Sequence, residues 1–272
     1  MLVCQIAVFH AIIGLVCSHS WVERLMVIGT NGTMIGNPGY IRGAVSRLDP
    51  NFNDFKMQHL LPTSTEGLLT DKLCKNSQRN RTYTTDLPAL QAAPGDFIAL
   101  QYQENGHVTL PGLTPQKKNS GTVYVYGTLY PRDDELLSSV HNIWNTDGTG
   151  GDGRGRLLAV RSFDDGQCYQ INTGPLSMQR QTKFHKIAMN PQGADLWCQN
   201  DIRLPIDIPF SWYTLYWVWD WPSAPSDHLP GGELEMYTSC MDVEVQPRVQ
   251  LDEMNFVDGQ DLNMAGIKGQ LE

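Results

Sequence analysis

Two histidines, a tyrosine and a glutamate could do chemistry together if the chain is cut at one place. His19 follows an apolar stretch, Leu2 to Cys17, and the small residue Ser18. A cut after Ser18 makes His19 the first residue. Such a histidine offers two metal-binding nitrogens, the free α-amine and ring Nδ1. His107 follows the turn dipeptide Asn105-Gly106 at the end of an apolar run, a position that presents an imidazole to solvent. Together the two residues supply three nitrogens in a T shape. Nitrogen donors in near-square geometry favour Cu(II), which also heads the divalent affinity series. The donors must be neutral, so binding weakens as pH falls below the histidine range. Glu235 and Tyr237 lie two residues apart on a strand-like segment, which puts them on one face. From spacing alone, Tyr237 reads as a core aromatic and Glu235 as a rim charge. His59, His141, His185 and His228 carry no positional signal.

The cut itself is legible. Residues 1–18 read as a secretory signal peptide: Ile6 to Val16 has the length of a signal's apolar core and is too short to span a bilayer, and small residues close it. No later stretch is long and apolar enough for a transmembrane helix, so membrane association is not expected. Cys4 and Cys17 leave with the signal. Cys74, Cys168, Cys198 and Cys240 remain, an even number that suits two disulfides with three possible connectivities. None has the close spacing of a cysteine–zinc site. The sequons at Asn31 and Asn80 fit a glycosylated, secreted, extracellular protein. The chain has 272 residues and a formal charge of −9, which argues against nucleic acid as a partner.

The elements that must position these groups are short and strand-like. Trp21 to Ile28, Phe97 to Gln103, Thr122 to Tyr130, Leu157 to Phe163, Lys183 to Met189, the block from Cys198 through Trp212–Trp221, and Glu235 to Val245 read as strands. Residues 40–95 read as a long loop region with one short helix near Asp54 to Leu61. The glycine-rich run 146–155 lacks the Lys-Ser/Thr end of a phosphate loop and reads as a surface loop. Many short strands, frequent Gly/Pro turns and no long amphipathic helix predict an all-β fold, an immunoglobulin/fibronectin-like antiparallel β-sandwich with long loops. The sandwich should span residues 19–245, with 246–272 a polar, flexible C-terminal tail.

The start HSWV at His19, the segment QYQENGHVT before TVYVYG, the block CQNDIRLP leading to YTLYWVWDW, and the ending ELEMYTSC resemble the fungal lytic polysaccharide monooxygenases. The Glu-Met-Tyr-x-x-Cys ending looks most like the chitin-active type. The resemblance implies a histidine brace holding one copper ion, with His19 and His107 as equatorial ligands, Tyr237 axial and Glu235 beside it. It also implies the disulfides Cys74–Cys240 and Cys168–Cys198. The activity it implies is copper-dependent oxidative cleavage of glycosidic bonds in chitin or another cell-wall glycan. The implied partners are a polysaccharide surface and an external electron donor with O2 or H2O2, and the protein is expected to be a monomer. Two alternatives stand beside it: a secreted copper-binding sandwich that cleaves nothing, and a metal-free surface protein. A hydrolase fares worse, because no motif selects a pair of carboxylates.

Overall fold

The computed structural model describes residues 19–30, 32–63, 69–188, 192–226, 230–248 and 269–270. The expected signal, Asn31, His228 and most of the expected tail lie outside the described residues. β-Branched and aromatic runs form strands here because their side chains pack on a pleated, buried surface. In chain order the strands are β1 (Val22–Ile28), β2 (Met34–Gly39), β3 (Leu60–Leu61), β4 (Leu90–Ala92), β5 (Phe97–Tyr102), β6 (Thr122–Thr128), β7 (Gly155–Ser162), β8 (Cys198–Arg203), β9 (Trp212–Asp220) and β10 (Met236–Val245). They form two sheets. One has the order β2-β1-β5-β8, the other β3-β10-β9-β6-β7, and β4 joins the far end of β10 in parallel. All other pairings are antiparallel. The architecture is the expected β-sandwich.

Alternation along β9 and β10 sorts two cores. Leu215, Trp217, Trp219, Tyr237 and Met241 face the other sheet and join Val22, Leu100 and Tyr102 in the main core. Tyr216, Val218, Met236 and Cys240 point outward, where Trp144, Leu73 and Cys74 cover them. Burial on both faces explains why β9 reads as a nearly continuous apolar run rather than an alternating one. Cys74 is joined to Cys240 and Cys168 to Cys198, the pairs that the resemblance implies. The first bond ties the long loop region to the last strand across 166 residues. A buried ion pair adds to it: Arg42 donates to both carboxylate oxygens of Asp242, from Nε at 2.7 Å and Nη2 at 2.6 Å.

Two expectations need correction. The segment from Lys183 is no strand; Pro175–Lys183 is instead the longest described helix, with Gly174 before it and Pro175 in its first turn. Proline fits there because its missing N–H has no intrahelical partner to lose. The helix buries only Ser177 and Arg180, so it left little apolar periodicity in the sequence. Asn37-Pro-Gly39 has the composition of a turn, but it lies in β2, an edge strand, where proline is tolerated. Of residues 246–272, three of the described ones are bonded to the body. Gln246 N donates to Ala92 O at 2.9 Å, Arg248 pairs with Asp96, and Gln270 Nε2 donates to Gln199 O at 2.9 Å. Among the described residues no helix is long and apolar enough to cross a membrane.

Candidate metal centre

Antiparallel pairing explains how residues 88 positions apart meet. Val22 of β1 stands opposite Tyr102 of β5, so the chain before Val22 and the chain after Tyr102 emerge at the same end. His19 N lies 3.3 Å from His107 Nε2 and donates to it. This is the atom that becomes the α-amine if the chain is cut after Ser18. Ser20 Oγ donates to Gln103 O at 2.9 Å and ties the two segments together.

The turn that carries His107 is built around Glu104. Asn105 and Gly106 take φ of 49° and 81°, a left-handed pair that Asn-Gly accommodates readily. The Glu104 carboxylate, itself buried, accepts from Val108 N at 2.8 Å, Thr109 N at 3.2 Å and Gln170 N at 2.8 Å, and from the Thr109 hydroxyl. His107 is not turned to solvent as expected: only 4% of it is exposed. Its ring packs against Trp221 and Trp219, with centroids 4.9 and 5.5 Å away. Those indoles are fixed by their own N–H groups, which donate to Asn119 O and Ser120 O. Burial, aided by the neighbouring His19 and Lys117 and only partly offset by the His19 N–H, pushes the His107 pKa down to about 3. The ring is therefore a neutral imidazole near neutral pH, the form a metal requires.

His19 is oriented from two sides. Its Nε2 lies 2.9 Å from Asp54 Oδ2, and Asn105 Nδ2 donates to His19 O at 2.7 Å and approaches Nδ1 at 3.1 Å. These partners assign the tautomer. Nε2 carries the proton toward the carboxylate, and the Nδ1 lone pair faces outward to a donor. A metal ion can take the place of the Asn105 amide there. Asp54 belongs to the short helix α1 (Asp54–Met57), whose N-cap Asn53 accepts from Lys56 N. The loop is held beside His19 by Arg47, which pairs with Glu23 and covers the Trp21 ring at 5.0 Å. A carboxylate on the second nitrogen of a metal-binding histidine is a recurrent way of fixing the ring. With the chain cut after Ser18, His19 N, His19 Nδ1 and His107 Nε2 would be a nitrogen donor set of the kind copper accepts.

Glu235 and Tyr237 also come together, at the start of β10. The Tyr237 hydroxyl donates to Glu235 Oε1 at 2.7 Å, and Lys117 Nζ reaches Glu235 Oε2 at 2.5 Å. Lys117 also donates to Trp221 O and lies 4.4 Å from the Trp221 ring centre. The register that sets Tyr237 beside Trp219 stacks their rings at 5.1 Å, so Trp219 touches both Tyr237 and His107. The other described histidines stand apart from the pair. His59 bonds Lys72 O, His141 bonds the Tyr126 hydroxyl, and His185 is exposed. Asn80 is exposed in a bend. Sequence reasoning missed Glu104, Asn105, Asp54 and Lys117. An acid before Asn-Gly was a weak local signal for Glu104; the roles of Asp54 and Lys117 are long-range and left none.

Fold and site together define an antiparallel β-sandwich with a histidine pair closed at one end. The chain belongs to a family described as a domain of unknown function, DUF7492, whose model matches residues 16–268. No curated protein matches it. Among solved structures it is similar to CvAA9A, at 13% identity over 91% of this chain and 83% of that one, with a TM-score of 0.35. It is also similar to a cellulose-active polysaccharide monooxygenase from M. thermophila, at 15% identity over 89% and 86%, with a TM-score of 0.34. A third similarity is to Cel61B, a glycoside hydrolase family 61 member from Hypocrea jecorina, at 12% identity over 91% and 87%, with a TM-score of 0.32. At TM-scores this low, the likeness supports neither a shared activity nor a shared ligand.

Proposed function

We propose that the chain, cut after Ser18 and secreted, binds one copper ion through His19 N, His19 Nδ1 and His107 Nε2 and is an oxidoreductase acting on a polysaccharide. The observation that carries this reading is the 3.3 Å contact between His19 N and His107 Nε2, made across 88 residues beside a histidine held neutral by burial. Two disulfides support an oxidising, extracellular setting. Copper bound there would supply one-electron chemistry, with an external reductant and O2 or H2O2, for oxidation of a sugar carbon. The protein's part is orientation and exclusion of water. Asp54 holds the His19 ring, Asn105 its carbonyl, Glu104 fixes the turn behind His107, and Trp219 and Trp221 seal the back of the site. Tyr237 stands behind Trp219, whose ring also touches His107, and Glu235, anchored by Lys117, holds the Tyr237 hydroxyl. Phe55, 73% exposed on α1, and Leu113, 52% exposed, offer apolar surface on which sugar rings can stack.

The alternative, a secreted copper binder that cleaves nothing, keeps the same nitrogens. The observation on its side is the Tyr237 hydroxyl, already committed to Glu235.

The test has three parts. N-terminal sequencing of the secreted protein should begin at His19. Electron paramagnetic resonance with Cu(II) should show a tight type 2 signal that His107→Ala abolishes. Incubation with ascorbate and chitin, cellulose, starch or xylan should yield oxidised oligosaccharides. Any other N-terminus, or an unchanged copper signal in the variant, refutes the copper site. A sound copper site with no oxidised product leaves the binder.

A further inference from the structure

A cleft of about 770 Å³ opens between α1 and residues 70–79. It starts on the helix that carries Asp54: Lys56, two residues on, lies in its wall with His59, Asp71, Lys72, Lys75 and Arg79. Its other side is fixed to the site strand, since Thr238 N donates to His59 O at 3.1 Å and Leu60 pairs with Tyr237. Four basic side chains thus face one carboxylate, in a chain whose formal charge is −9. That carboxylate is occupied: Asp71 Oδ2 accepts from Thr63 N at 2.8 Å, and Oδ1 from the Thr63 hydroxyl.

The cations are largely uncompensated among the described residues. Lys75 Nζ donates only to a neutral carbonyl, Gln58 O, at 2.9 Å. Burial lowers its pKa, the mark of an ammonium losing water without gaining a counter-ion. Lys72 alone has a carboxylate in reach among the described residues: its Nζ bonds Asp134 O at 3.0 Å and lies 3.9 Å from Asp134 Oδ2, an exposed pair. Arg79 Nε is sealed from solvent and has no hydrogen-bond partner. The rest of this half-buried side chain can pair with a planar carboxylate. A neutral glycan would leave these charges partly desolvated and unpaired, whereas an anion would neutralise them.

We infer that this cleft binds an acidic polysaccharide whose uronate carboxylates lie along a chain passing the histidine pair. The inference rests on the proposed function in taking a glycan as the substrate, and it names the class. A hexamer of galacturonate, a sulfated hexasaccharide and cellohexaose are titrated calorimetrically into mature protein at low and high salt. Galacturonate hexamer should bind at least about tenfold tighter than cellohexaose, the effect of one charge-assisted hydrogen bond, and should weaken with salt. The double variant K75Q/R79Q should lose about tenfold or more, Lys56→Glu should weaken binding in the same direction, and both should keep the Cu(II) signal. Equal affinity for the neutral and acidic hexamers, a stronger preference for the sulfate esters, or unchanged binding in both variants overturns it. Salt-sensitive uronate binding without oxidised product upholds the cleft and refutes the enzymatic reading. Oxidised neutral glycan without uronate binding does the reverse.

Discussion

The Lys117–Glu235 pair offers the sharpest stability test of the site. The Lys117 side chain is 3% exposed and that of Glu235 18%, with Nζ and Oε2 2.5 Å apart. Glu235→Gln removes the charge but keeps a carbonyl that can still accept one bond. The ammonium then stays buried with no countercharge, a cost of about 3 kcal/mol, the lower end for breaking a buried pair. For a domain of this size that lowers Tm by roughly 6–12 °C. Lys117→Met costs less, about 1–2 kcal/mol, because Glu235 keeps Tyr237 and some water. The double variant should cost at least about 2 kcal/mol less than the sum of the two, since no orphaned charge remains. Guanidinium unfolding of all four proteins at pH 7 measures the cycle, with m unchanged. A Glu235→Gln cost under about 1 kcal/mol, or coupling under about 0.5 kcal/mol, refutes the reasoning. It would mean that water already screens the pair and that Tyr237 is not anchored through it.

Three further outcomes follow from the same contacts. Asp54→Ala should weaken copper binding by roughly 10–100-fold in a chelator competition, as loss of a partner on a ligating histidine does; unchanged affinity would show that Asp54 does not orient His19. Burial pushes the Asp201 pKa up to about 7 from about 3.9 unfolded, so its contribution is present below pH 4 and is lost as pH rises through 7. Asp201→Asn should remove up to about 4 kcal/mol of that slope between pH 4 and 8 in urea unfolding, and an unaltered slope contradicts it. Burial alone would raise Asp242, but the hydrogen bonds and charge of Arg42 outweigh it and hold its pKa low, so this stabilisation exists above about pH 4 and fades as pH falls. Arg42→Met should therefore cost about 3–5 kcal/mol at pH 7 and less in acid; a cost independent of pH would place the effect in packing instead.

The sequence by itself determined the sandwich and most of its strands, because the side-chain alternation and aromatic content of β5, β6, β9 and β10 report burial on a pleated surface. It also marked His19, at an expected cleavage point, and His107, after Asn-Gly, and set Glu235 and Tyr237 on one strand face, while only the family resemblance implied a site role for that last pair. It missed the helix Pro175–Lys183, which buries too little to leave a period, and it turned His107 outward, because an Asn-Gly turn says nothing of the indoles that close over it. Only the tertiary structure decided that Val22 pairs with Tyr102, and with it that an N-terminal segment meets a loop 88 residues on. The same is true of Asp54 on His19, of Lys117 on Glu235 and of the basic cleft. Each depends on register and on how the loop between β2 and β4 is tied down. Those pairings are set by summed packing across the whole sheet, which no short stretch of sequence records.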